Sequence, residues 1–136
     1  LTLAIVDGIV MKVGNSNCVI EAGVVKEFVS VKKDMMICDP DGTESVMIRG
    51  DVYPVRRISK WYHIKDAKEN VEEGMMVILE VEGKHICLFV DTLIGKQEIV
   101  VKPIPPYIKK VKGLSGCTQL GDGSIALILD PGGITE

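Results

Sequence analysis

The chain has 136 residues, 46% hydrophobic and 26% charged, which suits one domain able to bury roughly two-thirds of its unfolded surface. A formal net charge of −3 sets up no global attraction to nucleic acid or anionic lipid, and aromatic residues at 4% leave little for base-stacking platforms. No apolar run approaches the roughly 20 residues of a membrane span, and Asp7 and Gly8 interrupt the one candidate signal segment, so neither membrane insertion nor secretion is expected.

Along the chain the dominant period is two. Ile9-Val10-Met11-Lys12-Val13 and Cys18-Val19-Ile20 read as strands around the polar turn Gly14-Asn15-Ser16-Asn17. Asp39-Pro40-Asp41-Gly42 has the composition of a type I turn: Asp opens it, Pro presets φ, and Gly closes it. It joins a strand at 35–38 to another at Glu44-Ser45-Val46-Met47-Ile48. Arg49-Gly50-Asp51 then turns the chain into Val52-Tyr53-Pro54, where Pro54 lacks the N–H of a ladder and so indicates an edge strand or a strand end. Val55, Ile58, Trp61 and Tyr62 recur at i, i+3, i+6 and i+7, which predicts one short helix over 55–64.

A charged link at 65–74 leads to a second β-rich half. Met75–Val81 and Lys84–Val90 flank Glu82-Gly83, a strong hairpin signal. On the return strand Ile86, Leu88 and Val90 share one face while Cys87 and Phe89 share the other, so that strand is expected to be covered on both sides. Residues 98–102 read as a further strand, and Pro103, Pro105 and Pro106 as an extended connection into 107–112. Another hairpin turns at Gly121-Asp122-Gly123, and Asp130-Pro131 reads as a helix start. Many short strands with turn signals predict an all-β fold of two small barrels.

The chemical motifs are thin. Cys18, Cys38, Cys87 and Cys117 are scattered without Cys-x-x-Cys spacing, and neither His63 nor His85 lies at a ligand spacing from them, so reduced, metal-free thiols and a cytoplasmic location are expected. Arg49-Gly50-Asp51 spells an adhesion tripeptide, but without a secretory context it reads as a turn. Asp39-x-Asp41-Gly42 lacks the remaining ligands of a calcium loop. The glycines at 113, 116, 121 and 123 precede a strand rather than a helix, which excludes a phosphate cradle. Two histidines inside packing segments nominate no catalytic triad. No catalytic residue, metal or cofactor is assigned.

The opening Leu1-Thr2-Leu3-Ala4-Ile5-Val6-Asp7-Gly8, the run Val46-Met47-Ile48-Arg49-Gly50 with Pro54, the segment 88–102 around Val90-Asp91-Thr92-Leu93-Ile94-Gly95, and the hairpin at 113–130 together resemble the CheW-like regulatory domains of chemotaxis histidine kinases of the CheA family. The resemblance implies two five-stranded SH3-like β-barrels related by pseudo-twofold symmetry with one short helix, about 8–64 and 73–130, with strands open to sharing between them. It implies a non-catalytic regulatory scaffold associated with membrane chemoreceptor arrays, which binds the coupling protein CheW and the cytoplasmic tip of a chemoreceptor. The lack of an initiator Met before Leu1 fits a piece of a longer kinase. A stand-alone CheW-type adaptor is the alternative, and a small β-barrel enzyme or ligand carrier a remote third.

Two interaction sites are expected on that basis. The hairpin around 44–53 matches the coupling-protein interface: Val46, Ile48 and Val52 fall on one face by period two, and Glu44 and Arg49 flank it as a polar rim. Between the barrels, Val25, Leu93 and Ile94 are expected to floor a receptor groove edged by Lys26 and Lys96. Gly23 and Gly95 break the strand pattern beside these residues and leave room for another backbone.

Overall fold

The computed structural model describes residues 4–103 and 114–134. It is mostly β, with two curled sheets and two short helices. The strands are β1 (Ala4–Val13), β2 (Ser16–Glu21), β3 (Val25–Val29), β4 (Met36–Cys38), β5 (Glu44–Ile48), β6 (Asp51–Arg57), β7 (Met75–Val81), β8 (Lys84–Val90), β9 (Thr92–Pro103), β10 (Leu114–Gln119) and β11 (Ile125–Leu129). The helices are α1 (Ile58–Trp61) and α2 (Pro131–Ile134). The proline-rich connection expected through 104–112 lies outside the described residues.

The strands do not divide into consecutive halves. β1, β2, β11, β10 and β9 close into a five-stranded barrel, whereas β3, β7, β8, β6, β5 and β4, in that order, form a six-stranded sheet. Sheet membership therefore crosses the boundary between 8–64 and 73–130, because β1 pairs with β9 over Ala4–Lys12 and β2 pairs in parallel with β11. The strands first predicted in the opening half thus build the barrel with the last three of the chain.

Turn chemistry sets the registers. β1 and β2 are joined by the two residues Gly14 and Asn15, since Val13 already pairs with Ser16. The β5–β6 turn is Arg49-Gly50 (φ 51° and 86°) and the β7–β8 turn is Glu82-Gly83 (φ 50° and 80°), both left-handed at both central residues as type I′ hairpins require. In the Asp39–Gly42 turn the Gly42 N–H donates to the Asp39 carbonyl at 2.9 Å.

The predicted helix over 55–64 is corrected. Val55, Arg56 and Arg57 are strand residues paired in parallel with Cys87, Leu88 and Phe89, and the helix is the four residues of α1. Main-chain bonds to a buried central strand outweigh a short amphipathic period, since one helical turn closes few bonds of its own. β6 is not an edge strand either. Pro54 sits where β6 changes partners: 51–54 pair with β5 only, and pairing with β8 starts at Val55, so the missing N–H interrupts no ladder.

Three apolar cores follow from alternation. Val10, Val19, Ile99, Leu120, Ala126 and Ile128 fill the barrel. Val46, Ile48, Met76, Ile78, Cys87 and Phe89 line the inside of the curled six-stranded sheet. Between barrel and sheet lies the largest core, with Ile9, Met11, Val13, Cys18 and Ile20 from one side and Val77, Leu79, Ile86, Leu88 and Val90 from the other. Strands β1, β2, β7 and β8 are thus buried on both faces, as the alternating apolar residues of β8 indicated. Gly8 is demanded by this closeness: a Cβ there would lie 2.5 Å from Val19 Cγ1 and 2.7 Å from Ile99 Cγ1.

Asp91, between β8 and β9, fastens the two sheets. Its Oδ2 accepts from the Gly14 N–H at 2.9 Å and its Oδ1 from the Lys68 N–H at 3.0 Å, while its own N–H donates to the Lys12 carbonyl at 2.9 Å. Because both sheets share one core, Leu88→Ala is expected to lower stability by about 2–5 kcal/mol, with barrel and sheet still unfolding in one transition. Urea titration followed by fluorescence of Trp61 and by circular dichroism checks this. Two resolved transitions would show that the sheets melt separately.

Candidate functional site

The β4–β5–β6 end of the six-stranded sheet has one buried and one exposed face. Val46 and Ile48 are buried within the sheet's inner core, whereas Val52 is 54% exposed. The expectation that these three share a face is corrected by the turn. With a two-residue connection, Ile48 faces Asp51, Met47 faces Val52 and Val46 faces Tyr53. Val52 therefore lies beside Met47, which is 46% exposed, and on the same side as Ile37 of β4, which is 38% exposed and level with Ser45. The outward apolar stripe is Ile37, Met47 and Val52. Ile37 and Met47 were missed: counting across the two-residue turn finds Met47, and the Ile37–Ser45 pairing puts Ile37 on the same side.

The two expected rim residues differ. Arg49, at the hairpin tip, is exposed and forms an ion pair with Glu27 of β3. Glu44 is not a free rim residue. Its carboxylate takes two hydrogen bonds from Arg57, Nε to Oε1 at 2.6 Å and Nη2 to Oε2 at 3.0 Å, with both side chains largely buried. The Arg57 guanidinium lies 5.0 Å from the centre of the Phe89 ring and donates to the Glu69 carbonyl at 2.7 Å. This fork joins β5, β6 and the 65–74 link, and its first effect is structural.

Between barrel and sheet, Val25 and Leu93 both pack against the shared core. Ile94 does not, and is 50% exposed. The reason is a β-bulge: Val10 pairs with Gly95 and Met11 with Leu93, so Ile94 is the extra residue pushed out of the ladder. A second bulge occurs in β3, where Val25 pairs with Leu79 and Glu27 with Ile78, leaving Lys26 unpaired. Lys26 reaches Glu80 at 3.3 Å and His85 at 3.4 Å. Lys96 lies 3.9 Å from Asp7. It edges an open groove of about 550 Å³ that is also lined by Ile5, Glu21, Ala22 and Gly23. A Cβ at Gly95 would meet nothing within 4 Å, and one at Gly23 only Glu21 Oε1 at 3.8 Å, so space is open at both glycines.

All four cysteines are free thiols. Cys18 and Cys87 are buried, which pushes each thiol up to about 12, while Cys38 is exposed. Among the described residues no cluster of three or more His, Cys, Asp or Glu side chains could hold a metal ion, and no helix is long and apolar enough to cross a membrane. His63, in the left-handed region at φ 52° just after α1, is exposed, and His85 is half-buried with its ring 5.9 Å from that of Tyr53.

Known proteins provide a frame for these surfaces. The family model of the CheW-like domain matches residues 7–136. The chain is 35% identical over 130 residues to the chemotaxis protein CheA of Klebsiella aerogenes, covering 96% of this chain and 20% of that one. It is 30% identical over 131 residues to the chemotaxis protein CheA of Bacillus subtilis, covering 96% and 19%. It thus spans about a fifth of the length of the curated relatives it matches. Among solved structures, the scaffolding protein TtCheW from Thermoanaerobacter tengcongensis shares the fold, with a TM-score of 0.76 at 18% identity over 93% of this chain and 90% of that one.

Two outcomes follow from the side-chain chemistry. Arg57's hydrogen bonds hold the Glu44 carboxyl below its ordinary value of 4.5, against the opposing effect of burial. The folded group binds its proton less readily than the unfolded one. Its contribution is therefore fully present above the unfolded value and is lost as pH falls through the lowered folded value. Glu44→Gln should cost about 1–2 kcal/mol at neutral pH and flatten that acid limb, as read by denaturant midpoints across pH. With a thiol reagent at neutral pH, Cys38 should react first, while Cys18 and Cys87 stay inert until the chain unfolds. Fast labelling of Cys18 in the native chain, located by peptide mapping, would contradict the packing described.

Proposed function

The chain belongs to the CheW-like domain family, and we propose that it is the regulatory scaffold domain of a chemotaxis sensor kinase. In this reading it binds a CheW coupling protein through the β4–β6 face and a chemoreceptor tip at the surface around the bulged Ile94. It does no chemistry itself, and works in the cytoplasm at membrane receptor arrays. The exposed stripe of Ile37, Met47 and Val52 carries the proposal. A stable sheet spends such residues in a core, and their place on an outer face, with charged Arg49 and Asp51 at the end, has the apolar-centre, polar-rim arrangement of a partner site.

The kinase assignment draws support from the identity to CheA proteins along 96% of the chain. A stand-alone adaptor draws support from the fold likeness to a CheW scaffold. The two part on one observation, whether the gene upstream of Leu1 encodes an ATP-binding domain. For the receptor, the bulged Ile94 and the edges Lys26 and Lys96 are the contact residues, with Val25 and Leu93 supporting them from the core.

Calorimetric titration with a CheW-type coupling protein tests the first surface. Val52→Asp and Met47→Asp should each weaken binding by about 10–100-fold while the melting temperature stays within the native range. Unchanged affinity in both would move the interface elsewhere. For the receptor, Ile94→Asp should abolish receptor-dependent kinase control in a stable protein, whereas Leu93→Asp should lose control and stability together. Full control in Ile94→Asp would remove this surface from the proposal.

A further inference from the structure

We propose that residues 65–73 form a strap that opens as one unit while both sheets stay folded, with Asp91 and Glu72 as its latches. Opening uncovers the seat of Val71 on the inner core of the six-stranded sheet. This goes beyond the partner reading and does not rest on it, since it concerns how the domain moves and not what it binds.

The segment runs from α1 to β7 without joining a ladder. Among the described residues its one main-chain to main-chain bond is local, from the Glu73 N–H to the Asn70 carbonyl at 2.9 Å. Side chains hold it to the rest of the molecule instead. Asp91 Oδ1 accepts from the Lys68 N–H at 3.0 Å, and Arg57 donates to the Glu69 carbonyl at 2.7 Å. At the far end Glu72 Oε2 accepts from the Lys33 N–H, just before β4, at 3.0 Å. Two further bonds stay inside the segment and tie its ends together. Asn70 Oδ1 accepts from the Glu72 N–H at 3.0 Å, and Lys68 Nζ donates to the Glu73 carbonyl at 3.0 Å. These survive when the latches break, so the segment moves as a piece.

Burial and backbone geometry set the strap apart from the strands on either side. Within 65–73 only Val71 is buried, where it joins Val31 and Phe89 in the inner core of the sheet. A segment with one buried apolar anchor and exposed latches opens at a far lower free energy than a two-faced core strand. At its entry His63 and Asp66 hold left-handed φ values of 52° and 65°, a conformation that costs an L residue energy and that opening relaxes. At its exit Gly74 is wedged: a Cβ there would lie 2.5 Å from Phe89 Cζ and 2.5 Å from the Val90 carbonyl oxygen, so Gly74 is the pivot. Closed, the strap also presses on the barrel. A Cβ on Gly14 would lie 2.5 Å from the Lys65 carbonyl oxygen and 3.2 Å from the Ala67 nitrogen. Asp91 holds both sides of that contact, since its two oxygens take the Gly14 and Lys68 N–H groups.

The test changes one latch and reads the other. Amide hydrogen exchange is followed by NMR on the whole chain at several low urea concentrations. Glu72→Ala, an exposed substitution that leaves Asp91 untouched, should speed exchange of the Lys68 amide by about threefold or more. The Lys68, Glu72 and Glu73 amides should share one shallow urea dependence, while Ile78 and Leu88 exchange more slowly and with the steep dependence of global unfolding. An unchanged Lys68 amide in Glu72→Ala would show that the latches open independently and overturn the proposal. So would a Lys68 amide that follows Ile78 and Leu88 in rate and urea dependence, because the strap would then open only on unfolding. A second measurement reads the Val71 seat. In a chain with Cys38→Ser and Cys117→Ser, the thiol introduced by Val71→Cys should label about tenfold or more faster than Cys18 under native conditions. Equal rates at the two thiols would likewise overturn it.

Discussion

The apolar layer between the barrel and the six-stranded sheet is the constraint on which the rest depends. Met11, Cys18, Ile20, Leu79, Leu88 and Val90 meet there, all essentially inaccessible to solvent. The strands that supply them also face a second core on their reverse sides, Val10 and Val19 inside the barrel and Met76, Ile78 and Phe89 inside the sheet. A residue slip in any of these four strands would exchange two cores at once, so their registers are fixed far more tightly than those of a one-sided strand. Asp91 adds a polar fastening at the end of the layer by joining the β1–β2 turn, the 65–74 link and the β8–β9 connection. The two sheets therefore present their outer surfaces in a fixed relation.

Much of this was legible in the sequence because it obeys period two. The double-sided apolar pattern of 86–90, the Glu82-Gly83 hairpin and strand β5 were readable residue by residue. What failed did so where a long-range partner decided the outcome. Val55 carries a helical spacing to Ile58 and Trp61, yet its main chain belongs to the ladder with Cys87. That neighbour lies 32 positions away, beyond any local window. Likewise nothing near β1 indicates that its partner is β9, so sheet membership could not be read from the order of segments.

Which way the candidate residues face was not legible, for a related reason. Val52 lies exposed on the β5–β6 hairpin, and its face depends on the parity of the connection. Two residues in the turn put even positions of β5 beside odd positions of β6, which sends Val46 and Ile48 inward and leaves Met47 with Val52. Glu44 looked like a rim charge because the chain does not announce Arg57 as its partner across the strand pair. Ile94 was chosen for its glycine neighbour, and the structure supplies the physical cause: a bulge opposite Val10 and Met11.

The distribution of exposed apolar residues then follows from how many layers each strand touches. β7 and β8 lie between two cores and have no outer face to offer. β5 and β6 lie at the far end of the sheet, where only the inner side has a core, so alternation leaves one apolar-capable face in water. There the sequence places Met47 and Val52 where Ser, Thr or Lys would be the solvent-compatible choice. The other edge strand, β3, is bulged at Lys26, and its Glu27 pairs with Arg49 of the β5–β6 turn. Ile5, Ile94 and Ile125, on the barrel strands β1, β9 and β11, are also at least half exposed, so apolar side chains reach solvent from both sheets.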